Sequence, residues 1–452
     1  MNAFGIDYGR ALSVVCLRDG RGPRARTRLV GDGFRASIPH AVSAPLSPPA
    51  LDEPLLWGSR ALETKAGIAA LRPTDSASGP WLEQPGAVLF WRGLMRRLTA
   101  YIGRVKPLPS NGYEILVAVP TENLTRTPED VKSLCREAGF EVVTVVPAPH
   151  ALLCRWMMEA MVMPWGNGSR TVASVCVGDD SVSVCAYRVT MRGTQLPQVT
   201  ASSRCFSISE CGGAWWTTRL LQEVAERWRE TPDIGGEMAL RDAATEFGAR
   251  LSRAAENEQV EWEGPLAERM FEVLRLSRRE CQDWPEVAPL RRQLPDILRQ
   301  AGQAVNGNGR LDLVLIGGVG AMWPFASEIA STVGPIWQSG FPLEDVARGA
   351  ACWPEAGESN TMLHLDGSPS GFEMAAFPAS SASEPLALEM GMFPASDLPL
   401  ESFGNVEAGV ETDFSGFVSE SGSADSEEEA PPEELEEEVE DDIPPSQRWR
   451  LN

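Results

Sequence analysis

The sequence predicts an α/β protein of two similar lobes followed by a long acidic tail, and three observations carry that expectation. A short apolar strand, Phe4-Gly5-Ile6-Asp7-Tyr8-Gly9, is followed within a few residues by a second strand over 13–17, so a glycine turn holds one acidic residue near its tip. Degraded copies of that geometry recur at 171–187 and 311–318. From about Pro354 the composition shifts to Ser, Pro, Gly and acid. A strand, a glycine turn and a returning strand with one carboxylate is one way in which folds hold a nucleotide phosphate and its metal.

The elements follow in order. Residues 1–30 read as a hairpin or meander, and 34–43 could continue it as a strand. Residues 58–71 and 88–102 have helical spacing, the latter with Trp91, Leu94, Met95 and Leu98 on one face. Residues 115–120 form a continuous apolar strand. Thr127 then caps a helix whose first position is Pro128 and which runs to about Gly139. A strand over 142–146 and a helix over 148–163 complete lobe I, residues 1–168. The turn cluster at 164–169 marks the boundary.

Lobe II, residues 169–353, opens as the first did, with strands over 171–177 and 181–189. Helices are predicted over 214–229, entered through Cys211-Gly212-Gly213, and over 237–253. The stretch 266–303 is helix-rich, 311–316 is a strand ending in Gly317-Gly318, and 325–333 is a helix. Strand and helix alternating in this way imply a partly parallel sheet covered by helices.

The net charge of −23 over 452 residues is unevenly placed. Residues 361–452 hold 22 acidic and 2 basic residues, whereas the remaining 360 carry 41 acidic and 38 basic. A nearly neutral body therefore bears an anionic tail, which repels nucleic acid and anionic lipid and favours basic partners. Within the tail, residues 354–452, Glu373-Met374-Ala375-Ala376-Phe377-Pro378-Ala379-Ser380 recurs sixteen residues later as Glu389-Met390-Gly391-Met392-Phe393-Pro394-Ala395-Ser396. Met374, Phe377, Met390 and Phe393 are the candidate contacts of a protein partner, which two copies could engage bivalently; they could equally latch onto the body. Twelve of the eighteen residues from 425 to 442 are acidic, too charged to collapse on themselves, so the tail is expected to be disordered.

Nine cysteines are scattered without C-x-x-C spacing, and the three histidines (His40, His150, His364) lie far apart. Reduced, core-filling cysteines are the expectation. No apolar run approaches the ~20 residues needed to span a bilayer, so no integral membrane segment and a cytoplasmic location are expected.

The ordered set of motifs resembles the ATPase domain of the DnaK-type (seventy-kilodalton) heat-shock chaperones, within the actin and sugar-kinase superfamily. That family's first phosphate loop, G-I-D-x-G-T-T, is similar to Gly5-Ile6-Asp7-Tyr8-Gly9-Arg10-Ala11. Its I-P-S-V-V segment resembles Ile38-Pro39-His40-Ala41-Val42, and its V-P-A strand end Val119-Pro120-Thr121. The family's A-G-L-E-V resembles Ala138-Gly139-Phe140-Glu141-Val142, and its G-G helix entry Gly212-Gly213. Its adenosine loop V-G-G-S-T-R resembles Ile316-Gly317-Gly318-Val319-Gly320-Ala321. The closing P-x-E-A-V-A-x-G-A-A resembles Pro342-Leu343-Glu344-Asp345-Val346-Ala347-Arg348-Gly349-Ala350-Ala351. The resemblance covers residues 1–353 and implies a two-lobe, actin-like (ribonuclease H-like) ATPase fold. It implies a nucleotide site at Gly5, Asp7, Gly9, Arg10, Gly178, Asp179, Asp180, Ser181, Gly212, Gly213, Gly317 and Gly318, with ATP or ADP and Mg2+ as possible ligands and Asp7 as the metal-side residue.

The departures fall at the chemistry. Arg10 and Ala11 stand at the threonine positions of the first loop. The family's second loop, D-L-G-G-G-T-F-D, is represented by Cys176-Val177-Gly178-Asp179-Asp180-Ser181-Val182-Ser183, without its two aspartates and with carboxylates in place of two glycines. Ala148 replaces the family glutamate, and the lysine that polarises the γ-phosphate has no counterpart unless Arg10 serves. Phosphoryl transfer rests on positioned charge, so the expected function is that of a hydrolysis-deficient, chaperone-related scaffold or regulatory adaptor. Two alternatives stay open: a slow Mg-dependent ATPase using Asp7, Asp179 and Asp180 with Arg10, and a filament-forming actin relative. No chaperone-type substrate-binding block is expected after residue 353, and Pro354 is expected to cut the closing helix short. Trp215, Trp216, Trp323 and Trp337 either fill core or stack on a base.

Overall fold

Two runs of valine, isoleucine and small apolar residues, each folded back by a glycine turn, seed the two main sheets. A computed structural model describes residues 2–9, 12–31, 37–43, 58–59, 68–70, 90, 93–101, 114–120, 132–133, 135–136, 143–163, 165–227, 237–264, 272–358, 360 and 363. It is mixed α/β.

In the first sheet β1 (Asn2–Tyr8) pairs antiparallel with β2 (Leu12–Asp19), which carries β3 (Arg26–Leu29) and β4 (Ser37–Pro39) on its other edge. A separate two-stranded ladder joins β5 (Ala41–Ser43) to β6 (Ile68–Ala70). On the far side of β1 lie β7 (Glu114–Val119) and β8 (Val143–Pro147), both parallel to it. Helix α1 (Ala148–Ala160) follows β8 directly, with Pro149 in its first turn, where the missing N–H costs nothing.

The second sheet repeats the plan. Strand β9 (Gly168–Val177) pairs antiparallel with β10 (Ser181–Met191), which carries β11 (Gln198–Ser202) and β12 (Phe206–Ser209). Next come α2 (Gly213–Ala225), α3 (Glu237–Arg253), the β13 (Val260–Glu261) and β14 (Arg275–Leu276) ladder, α4 (Arg278–Gln282) and α5 (Ala288–Asn306). Then β15 (Leu313–Gly317) lies parallel to β9, and after α6 (Phe325–Ser331) comes β16 (Ile336–Trp337). Strand order is β3-β2-β1-β7-β8 in one sheet and β11-β10-β9-β15-β16 in the other, with the side strand on the hairpin's second member in both. One topology is used twice.

Side-chain alternation along β10 sets the layers. Val182, Val184 and Ala186 pack towards α5, and Cys185 and Tyr187 pack towards α1. In the first sheet, Phe4, Ile6 and Val15 lie under the helical stretch 93–101, whose Leu94, Met95 and Leu98 are buried as the spacing predicts. Helix α7 (Pro342–Ala351) packs on α1, β1 and β2 together. It comes so close that a methyl carbon at Gly5 would fall 2.0 Å from the Ala347 carbonyl oxygen, and one at Gly349 1.9 Å from that of Ala151.

Several local expectations differ from the structure. Residues 68–70, expected to be helical, form β6, because pairing with β5 satisfies a backbone whose Ile-Ala-Ala sequence has no strong preference. The proposed strand over 34–43 is broken at His40, which bonds Ser13 and stacks on Tyr8. Thr127 and Pro128 lie outside the described residues, although 132–133 and 135–136 are helical. The closing helix does end at Ala351, but packing continues past residue 353. Helix α8 (Trp353–Ala356) begins with Pro354 in its first turn. Glu355 takes Arg18 at 3.1 Å and the Gly22 N–H at 2.8 Å, the Asn360 side chain accepts the Val199 N–H, and Leu363 is buried. Among the described residues no helix is long and apolar enough to cross a membrane.

Candidate functional site

The two glycine turns are built alike. The Gly9 N–H donates to the Leu12 carbonyl at 3.2 Å, and the Gly178 N–H donates to the Ser181 carbonyl at 2.9 Å. Two residues before each glycine stand Asp7 and Cys176. Asp7 is registered with Val14 and Ala118, Cys176 with Ser183 and Gly317, so each sits at the same place in its own sheet. The repeated topology thus puts a thiol in the second half where the first half has a carboxylate.

The turns also approach one another. Asp7 is half-buried, and the surrounding protein together with the Asp179 charge raises its carboxyl from 3.8 to about 7. A methyl carbon at Gly9 would fall 3.8 Å from Asp179 Oδ2. Burial pushes the Cys176 thiol well up, and the charges of Asp7 and Asp345 push it further. Asp345, buried on α7, accepts a hydrogen bond from Ser339 at 2.7 Å and lies 3.6 Å from the Arg155 guanidinium. Burial still raises its carboxyl to about 6, because those two partners offset only part of the desolvation. Two acidic groups, Asp7 and Asp345, therefore act on one buried thiol, and Asp179 acts in turn on Asp7.

Helix α2 begins against the second turn. Gly213 and Ala214 donate their N–H groups to the carbonyls of Gly178 and Asp179 at 2.9 and 2.8 Å, and Cys211 donates to that of Asp180 at 3.1 Å. Two of the orphan donors that make a helix N-terminus an anion site are thus taken by the turn. The Asp180 carboxylate accepts the Trp215 indole N–H at 2.7 Å. Gly212 allows this closure: a methyl carbon there would lie 2.6 Å from the Gly178 carbonyl oxygen.

Gly317 and Gly318 are buried. Gly318, at φ +102°, donates its N–H to the Pro342 carbonyl at 2.8 Å and backs onto Val177, while Gly317 packs on Leu152 and Asp345. These glycines let β15, β9, α1 and α7 meet.

Of the residues anticipated from sequence, Asp7, Gly9, Gly178, Asp179, Asp180, Ser181, Gly212 and Gly213 come together, and Gly317 and Gly318 adjoin them. Gly5 lies under α7, away from the turns. Arg10, Met374, Phe377, Met390 and Phe393 lie outside the described residues. Asp345, Ser339 and Arg155 were missed as site residues; the one signal was an acid inside the apolar face of a helix, Asp345 beside Val346, Ala347 and Ala350. Trp216 and Trp323 belong to an aromatic core cluster with Trp284 and Phe325.

Among the described residues the donor set does not suit a triphosphate. The Asp179 carboxylate lies beside the first turn, and the N–H groups of Gly9, Gly178, Gly213 and Ala214 already have partners. No protein-family model matches the chain, and no curated protein matches it.

Proposed function

We propose that the chain is an actin-like, DnaK-type chaperone-related protein that has lost ATP hydrolysis and works as a scaffold or regulatory adaptor through its tail. The repeated sheet topology and the paired glycine turns support the two-lobe reading. The observation that carries the loss of hydrolysis is the closure of the second turn onto α2, with the Asp179 charge acting on Asp7. Two carboxylates in a desolvated cleft oppose an incoming phosphate by several kcal/mol.

The test is calorimetric and thermal-shift titration of the full chain with ATP and ADP, with and without magnesium. No shift with either nucleotide is the expected result. A Kd of about 1 μM would stabilise the protein by ~4 kcal/mol at millimolar nucleotide and would sink the proposal. The proximity of Asp7 and Asp179 favours one second reading, a relocated carboxylate site for magnesium. Under that reading the shift appears only with magnesium and vanishes in Asp7→Asn.

A further inference from the structure

Behind the second sheet, three elements bring soft donor atoms together. Cys185 comes from the middle of β10, Cys205 from the link between β11 and β12, and His150 from the first turn of α1. The two Sγ atoms and one His150 ring nitrogen all lie within 4.8 Å of one another, and all three residues are buried. The neighbours hold them in place. Tyr187, two residues along β10 on the same face, bonds His150 Nδ1 through its hydroxyl at 2.9 Å, and the ring of Trp353 lies nearly parallel to the imidazole with the ring centres 6.4 Å apart. Ser203 fixes the link: its N–H donates to the Ala186 carbonyl at 2.7 Å, its Oγ accepts the Ala186 N–H at 2.9 Å, and its carbonyl accepts the Cys185 thiol at 3.3 Å.

One feature of this cluster points to a ligand. His150 Nε2 is sealed from solvent without a hydrogen-bond partner, and a buried, unsatisfied ring nitrogen is costly. We infer that His150, Cys185 and Cys205 form a structural site for a single thiolate-seeking d10 ion, zinc.

The chemistry of the donors suits it. Two thiolates and a neutral imidazole around a divalent ion sum to no net charge, which a dry interior tolerates; the same ligands around a monovalent ion leave a buried negative charge. Zn–S and Zn–N bonds near 2.3 and 2.0 Å require donors about 3.5–3.8 Å apart, so a modest contraction of the cluster supplies three of the ion's four tetrahedral positions. Tyr187 is then the outer partner that orients the imidazole, the role a carboxylate or carbonyl plays in other centres. Binding expels the two thiol protons to solvent, and because the site is sealed the ion enters as the chain folds.

The experiment uses the full chain, purified without chelator and then refolded with or without zinc sulfate. Elemental analysis is expected to find one zinc per chain, and refolding in cobalt(II) to give thiolate-to-cobalt charge-transfer bands. Cys185→Ser and Cys205→Ser should lose metal, whereas Cys281→Ser, a buried thiol elsewhere in the same half, should keep it. The cobalt spectrum of the unaltered protein decides the matter even where a variant fails to fold. Absence of those bands, stoichiometry below one that the cysteine variants leave unchanged, or a Cys185–Cys205 disulfide in metal-free protein by peptide mass mapping each overturns the inference.

Discussion

Asp179 acts on Asp7 across the gap between the two hairpin turns, and its charge adds to burial in raising the Asp7 carboxyl to about 7. A carboxyl raised on folding holds its proton longer in the native state than in the unfolded chain. Its contribution is whole below 3.8, falls as pH rises and is lost once pH passes about 7. Asp7→Asn should therefore leave stability unchanged near pH 4 and raise it by about 1–2 kcal/mol near pH 8, after allowance for the group's partial exposure. Urea titrations at the two pH values check both the size and the sign.

Gly349→Ala should cost ~3 kcal/mol or more, because the new methyl carbon would overlap the backbone of α1 and neither helix can yield without disturbing the sheets. The same change at the exposed Gly193, where nothing lies within 4 Å of the added carbon, meets no such overlap and pays only for its φ of +58°. Chemical denaturation of the pair separates packing from backbone strain.

The tryptophans should divide into two classes. Trp323→Ala removes the centre of the Trp216–Trp284–Phe325 cluster and should cost about 3–5 kcal/mol. Trp215, exposed and tied only through its indole N–H to Asp180, should cost about 1 kcal/mol when changed to Phe. A comparable loss from both variants in differential scanning calorimetry would contradict the assignment of Trp323 to core.

Glu355→Gln should destabilise the body by about 3 kcal/mol, since Arg18 is buried and would keep its charge without a full counter-ion. Ending the chain after Ala351 should do more, because Trp353, Asn360 and Leu363 leave with it. Thermal melts of the two proteins give the order.

The tail predictions concern binding. If Met374-x-x-Phe377 and Met390-x-x-Phe393 dock together, Phe377→Ala or Phe393→Ala alone should weaken capture by about a hundredfold, and the double variant should add little. Surface plasmon resonance on a partner recovered with residues 370–400 measures both. Equal, independent losses would show two separate contacts.

The hairpins were legible because a glycine between two apolar runs leaves few alternatives, and Gly9 and Gly178 stand where the turns close. The helix over 237–253 was legible from the Gly235-Gly236 turn that precedes it. The ladder of β5 and β6 was not, since a strand of Ile-Ala-Ala is decided by its distant partner rather than its own preference. Nor was the fate of Asp179 and Asp180: their identity was visible, but that α2 would bond to their carbonyls depended on how two loops meet. Asp345 and the His150–Cys185–Cys205 cluster escaped for a related reason. Their members are separated in sequence by tens of residues with no local spacing, and only the β10 pleat and the packing of α1 and α7 bring them into register.

Arg18 and Cys352 touch across 334 residues of sequence. The helix that fills the space beneath β1 and β2 is thus among the last parts of the body to be synthesised. At about 5–20 residues per second the opening hairpin waits on the order of half a minute for its partner. During that interval the face of β1 around Gly5 is uncovered apolar backbone, a surface that a nascent-chain binder would recognise and that the finished protein no longer presents. Such late closure favours slow folding, and it places the vulnerable moment of this chain's life at the end of translation.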